Sequence, residues 1–157
     1  MGYTHYYTKR EDVEFVPLAP EKRKELIERI EKVVDLHKDI LTGDYSGKTM
    51  TPVDVSQGHI CLNGHGEYGF ETFEYEIDNR PSAFAFCKTG HKAYDIAVCE
   101  ILLLLEHYIE SLVVDSDSFR NDRIDPVWQL AAANVYDVFG IQTDLLKKLI
   151  YKVENPY

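Results

Sequence analysis

The chain has 157 residues and carries 17 Lys and Arg against 27 Asp and Glu, a formal charge of −10. Phosphate backbones are repelled by such a charge, so a nucleic-acid partner is not expected. A hydrophobic fraction of 45% and an aromatic fraction of 12% exclude a disordered chain and suit a single globular domain spanning residues 1–157.

Residues 2–8, rich in Tyr and Thr, predict a first strand. Pro20 opens a helix in the position that tolerates a missing N–H, and Leu26, Ile27, Ile30, Val33, Val34, His37, Ile40 and Leu41 recur at helical spacing up to a stop at Gly43. Its opposite, charged face reads as solvated. Residues 42–58 hold turn residues without a sustained period and form the longest loop.

Two short strands follow, at His59 to Asn63 and Phe70 to Ile77, expected as antiparallel neighbours. After the Asp78-Asn79-Arg80-Pro81 turn, Ala83 to Lys88 is a further strand, expected to form a hairpin with Phe70 to Ile77. Lys92 to Ile109 is apolar on more than one face and predicts a buried, central helix. Leu112 to Asp115 completes a strand, helix, strand unit with its two strands parallel. Asp125-Pro126 caps another helix ending at Gly140, and a last helix is expected from about Thr143 to Val153. The fold class is therefore α/β (α+β): a mixed sheet of about five strands covered by three to four helices.

Cys61, Cys87 and Cys99 sit in apolar segments without a CxxC pair, the pattern of buried thiols in a reducing compartment. No secretion signal opens the chain, and the apolar run Ile101 to Leu105 is far too short to span a bilayer, so a cytoplasmic protein without a membrane partner is expected.

Chemistry concentrates where a strand feeds the buried helix. Lys88, Thr89, Gly90, His91, Lys92 and Tyr94 surround a helix start, where free N–H groups and the positive dipole end favour an anion. Asn63, in a glycine-rich turn, and Ser116, expected at the same sheet edge as Thr89, are added as candidate ligand contacts. The segment lacks both the Walker loop and the GxGxxG fingerprint, and also reads as an ordinary capped helix start. His65 with Glu71, Asp115 and Asp117 matches no metal motif, so neither a metal nor a cofactor is expected. His91 with Glu71 or Asp117 offers an acid and a base, but nothing fixes a nucleophile. His5 reads as a satisfied core or edge histidine and Trp128 as core.

Met1 to Tyr6, Leu62-Asn63-Gly64, Glu71-Thr72-Phe73, Phe86-Cys87-Lys88-Thr89, Tyr94-Asp95, Val114-Asp115-Ser116-Asp117 and Trp128, taken in order, resemble a family of small phage and bacterial proteins that begin Met-Gly-Tyr-Thr. The resemblance implies a cytoplasmic setting, the host cytoplasm for a phage-encoded protein. Relatives place Arg-Lys-Pro before Tyr-Asp, where this chain has His91-Lys92-Ala93, so an imidazole stands where a guanidinium would clamp a phosphate. The resulting expectation is a small-molecule binding protein, with homo-oligomeric assembly open to it, that sequesters a nucleotide-derived anionic signal to counter host defence. The alternatives are a small hydrolase of phosphorylated or ribosyl compounds, or a protein-interaction inhibitor module.

Overall fold

The computed structural model describes residues 3–119 and 124–143, together with 145 and 148. Its elements, in chain order, are β1 (Thr4–Lys9), α1 (Pro20–Leu36), β2 (Leu41–Thr42), β3 (His59–Gly64), β4 (Phe73–Glu76), β5 (Phe86–Lys88), α2 (Asp95–Tyr108), β6 (Leu112–Ser116) and α3 (Pro126–Phe139). The α+β class holds, with the strands divided between two three-stranded sheets of order β5-β1-β6 and β2-β3-β4. The predicted helix at 143–153 lies outside the described residues apart from isolated positions. No helix among the described residues is long and apolar enough to cross a membrane.

Helix α2 organises the core. Ala97, Val98, Ile101, Leu102, Leu104 and Leu105 point in different directions around it and all are fully buried, so the helix is enclosed by neighbours on every side. Its acids lie largely out of water and each is paired. Glu100 joins His37 Nε2 at 2.7 Å and accepts from Asn134 Nδ2 at 2.7 Å, tying α2 to α1 and α3. Glu106 accepts from the Val114 backbone N–H at 2.7 Å and from Lys148 Nζ at 2.5 Å. Helix α3 starts and stops on the predicted residues, with Asp125 accepting from the Val127 N–H and Gly140 left-handed at φ 70°.

Strands β5 and β6 run parallel, as the strand, helix, strand pattern predicts, but they are not neighbours. Strand β1 lies between them, antiparallel to both, with His5 opposite Cys87 on one side and Ser116 on the other. The N-terminal strand thus fills the gap that the crossover over α2 leaves open. As a result the carboxyl ends of β5 and β6 meet at the start of β1.

Two local expectations are corrected. Gly43 does not end the first helix. α1 stops at Leu36, because His37 is held by Glu100 and Leu41–Thr42 pair with Asn63 and Gly64. Gly43 is instead required by a close approach, since a Cβ there would stand 2.6 Å from the Pro52 carbonyl oxygen. The expected hairpin of residues 70–77 with 83–88 is also absent: β4 pairs with β3, whereas β5 pairs with β1. Alternation shows which face of a strand is buried and leaves the choice of partner to tertiary packing.

Asn63 closes the connection between β3 and β4. Its Nδ2 donates to the Phe70 carbonyl at 3.0 Å and to Thr72 Oγ1 at 3.1 Å, while its Oδ1 accepts from the N–H groups of Gly64 at 2.7 Å and Phe70 at 3.1 Å. Replacing a buried amide that makes four such bonds strands several backbone groups at once. Asn63→Ala is expected to lower stability by about 2–4 kcal/mol in urea unfolding. A loss under about 0.5 kcal/mol would show that the loop closes without it.

Candidate functional site

Four segments converge where β5 turns into α2: the start of β1, the connection at 68–72, the turn at 88–94 and the end of β6. At their centre is Asp95, the first residue of α2, which is almost wholly buried. Tyr3 donates its hydroxyl to Asp95 Oδ2 at 2.7 Å, Thr89 donates to Oδ1 at 2.7 Å, and His5 Nε2 lies 2.6 Å from Oδ1. Burial pushes the Asp95 carboxyl up, but the hydrogen bonds from His5, Thr89 and Tyr3 outweigh it and hold the group below its ordinary value.

An ionised Asp95 only accepts, so the proton between it and His5 belongs to Nε2. His5 Nδ1 then accepts from Ser116 Oγ at 2.8 Å. Ser116 in turn sits 2.7 Å from Ser118 Oγ and accepts from the Ser118 N–H at 3.1 Å. Trp128 packs edge-on against the His5 ring, with centroids 5.0 Å apart.

The order of donors is that of a serine, histidine, carboxylate relay. Ser116 and His5 are both fully buried, however, and the hydroxyl is already engaged with His5, with the hydroxyl and N–H of Ser118 and with the Thr4 carbonyl. In this arrangement the relay stabilises the fold where four segments cross. Cys99 completes a compact donor set with His5 and Asp95. Burial, reinforced by the Asp95 charge, drives the Cys99 thiol well above its ordinary value and keeps it protonated.

Around this centre the predicted ligand residues divide into two groups. Thr89 and Tyr94 are fully buried and engaged, Tyr94 donating its hydroxyl to the Glu71 carbonyl at 2.5 Å. Ser116 belongs to the His5 chain, and Asn63 holds the backbone of Phe70. Lys88, Gly90, His91 and Lys92 are exposed. Asp95 places a carboxylate in the first turn of α2, where the dipole favours negative charge, and its partners there are the side chains of Tyr3, His5 and Thr89. Nearby N–H groups are also taken: Lys88 donates to Glu71 Oε1 at 2.8 Å, Tyr94 to the Tyr68 carbonyl at 3.0 Å and Asp95 to the Lys92 carbonyl at 2.9 Å.

His91 stands apart. The Lys92 N–H donates to the Thr89 carbonyl at 3.1 Å across Gly90 at φ 60° and His91 at φ 57°, the φ pattern of a type I′ turn. His91 is the only described non-glycine residue with positive φ. Its ring stacks on Tyr3 with centroids 3.4 Å apart, and Tyr3 in turn is anchored to Asp95. Beside the turn, exposed Phe70 rests against Gly90, where an added Cβ would meet the Phe70 ring at 3.3 Å.

The acid and base considered for a hydrolase are each engaged with other partners. Glu71 serves the Lys88 N–H, Asp117 accepts from the Thr4 N–H at 3.1 Å and from the Tyr6 hydroxyl at 3.0 Å, and His91 lies on Tyr3. Nor do His65, Glu71, Asp115 and Asp117 gather as metal donors among the described residues. Sequence reading missed the centrality of Asp95 and the parts played by Tyr3, Cys99, Ser118 and Phe70. The alternation that turns His5 and Tyr7 to one face of β1 was the available signal for the buried histidine. No protein-family model matches the chain, and no curated protein or solved structure is significantly similar to it.

Asp95→Asn is expected to cost about 2–4 kcal/mol at neutral pH, because it replaces an acceptor satisfied by three donors with a half-amide. A depressed carboxyl contributes stability above its ordinary value of 3.8, and that contribution is lost as pH falls through the lower folded value. Unfolding of the two proteins by urea should therefore differ most near neutrality and converge in acid. A difference that stays constant down to about pH 2 would exclude an ionised Asp95 in the folded protein.

Proposed function

We propose that this chain is a binding protein for a small anionic ligand of nucleotide type, received on the exposed face of the turn at 88–92. The observation that carries the reading is His91. A non-glycine residue at positive φ costs about 1–3 kcal/mol, and such strain persists where the surroundings impose it and tends to accompany function. Here the surroundings are the Tyr3 stack and the buried Asp95 cluster, and the result is an imidazole presented at the surface between two lysines.

In a chain of net charge −10, Lys88, His91 and Lys92 form a local concentration of donors suited to phosphate oxygens. Exposed Phe70, and Phe86 two residues before Lys88 on the same face of β5, supply aromatic surface of the kind on which a base stacks. Thr89, Tyr94, Asn63 and Ser116 hold this surface from behind. A binder fits the closed state of Ser116 and His5 better than a hydrolase does, since neither reaches solvent. Capture of a nucleotide signal, with the counter-defence role that the family resemblance suggests, would require no more than this surface.

Thermal-shift measurements against a panel of mono-, di- and cyclic nucleotides test the proposal. A ligand at about 100 times its dissociation constant raises apparent stability by about 2.7 kcal/mol. The Lys88→Ala, Lys92→Ala double variant should lose the shift, and denaturing the complex should return the ligand intact. Release of a cleaved product would instead establish a hydrolase. His91→Gly should leave stability within about 1 kcal/mol of the parent, because relief of strain offsets the lost stack, while weakening binding. Unchanged affinity in both variants would rule out the turn as the receptor.

A further inference from the structure

A different part of the molecule, the outward face of the β3 and β4 pair, carries His59, Cys61, Glu74 and Glu76. Along β3 the sequence alternates His59, Ile60, Cys61, Leu62, and along β4 Phe73, Glu74, Tyr75, Glu76. Ile60, Leu62, Phe73 and Tyr75 enter the core, so the four donors are left together on the other side. The register sets His59 opposite Glu76 and Cys61 opposite Glu74.

The Ile77 N–H donates to the Gly58 carbonyl at 3.0 Å, which identifies that neighbouring position as hydrogen-bonded. By alternation both donor pairs occupy non-hydrogen-bonded positions, where opposing side chains approach most closely. Accordingly, donor atoms of His59, Cys61 and Glu74 all lie within 4.8 Å of one another. Glu76 Oε1 is hydrogen-bonded to His59 Nδ1.

We propose that these four side chains form a binding site for a transition-metal dication of the zinc class, with His59, Cys61 and Glu74 as ligands and Glu76 holding the imidazole. Imidazole and thiolate donors select such an ion over magnesium or calcium, which require oxygen ligands throughout. A carboxylate hydrogen-bonded to a metal-binding histidine fixes its ring and raises its basicity. Two glutamates on one face repel each other, and among the described residues no lysine or arginine forms a salt bridge with either. A dication would relieve that repulsion.

The site also borders a cleft of about 250 Å³, lined by His59, Glu74, Tyr75, Glu76 and Arg80 among others. Three protein ligands leave a coordination position for water or an incoming group on an accessible surface. Without metal, burial and the neighbouring Glu74 charge raise the Cys61 thiol above its ordinary value, so binding must expel its proton to solvent.

Titration of the intact protein with zinc, and separately with cobalt as a spectroscopic probe, tests the site. One ion per chain is expected, with a thiolate-to-cobalt charge-transfer band and a proton released, the latter read from calorimetry in buffers of differing ionisation enthalpy. Cys61→Ser should abolish the band, and Cys61→Ser, His59→Ala and Glu74→Gln should each weaken zinc about tenfold or more. Glu76→Gln should weaken it about 10–100-fold while the band remains. Circular dichroism keeps these surface variants comparable with the parent. Absence of binding, or a band that survives Cys61→Ser and disappears in Cys99→Ser, would overturn the assignment, the second by placing the metal at the buried His5 cluster.

Discussion

A helix buried on all sides must satisfy every polar group it brings into the core, and α2 brings three carboxylates. Left unpaired, each would cost several kcal/mol. Asp95, Glu100 and Glu106 are spread along its length, and each recruits a different part of the chain: β1 and the turn after β5, then α1 and α3, then β6 and Lys148. The apolar side chains of α2 provide the driving force for burial, which is indifferent to direction. The acids provide direction, because a carboxylate is satisfied only by donors at particular places.

At the N-terminal end of α2 this requirement shapes the surface. Asp95 is stabilised by Tyr3, His5 and Thr89, which fixes the start of β1 and the end of β5 against the helix. Tyr3 then supports His91 from beneath, and the turn keeps a conformation that an isolated peptide would seldom adopt. The exposed lysines, imidazole and Phe70 are thus presented by a support that lies in the core. The β3 and β4 pair is organised differently: its donors face outward from a regular ladder, and their proximity follows from register alone.

Much of this was legible in the residues. Apolar positions around α2 announced its burial, Asp125 and Gly140 announced both ends of α3, and the short apolar run Leu112, Val113, Val114 announced β6. Trp128 was rightly read as core, His5, read as a satisfied core or edge histidine, is in the core, and Ser116 was rightly placed near Thr89, since the ends of β5 and β6 meet at β1. The reading went astray where a local signal competed with a distant partner. Gly43 carried the mark of a helix stop, yet α1 ends earlier because His37 answers Glu100 across 63 residues. Residues 70–77 and 83–88 had the spacing of a hairpin, yet each found a longer-range partner.

By itself, then, the sequence determined the elements, the faces they bury and the capping of their ends, because periodicity, β-branching and turn chemistry act over a few residues. Tertiary structure decided which strands pair, that the Asp95 carboxylate in the first turn of α2 is met by Tyr3, His5 and Thr89, and that Thr89 and Tyr94 face inward while Lys88, His91 and Lys92 face out. The physical reason is range. A buried carboxylate takes its donors from wherever the packed chain delivers them, and in this protein Tyr3 and His5 arrive from about ninety residues away.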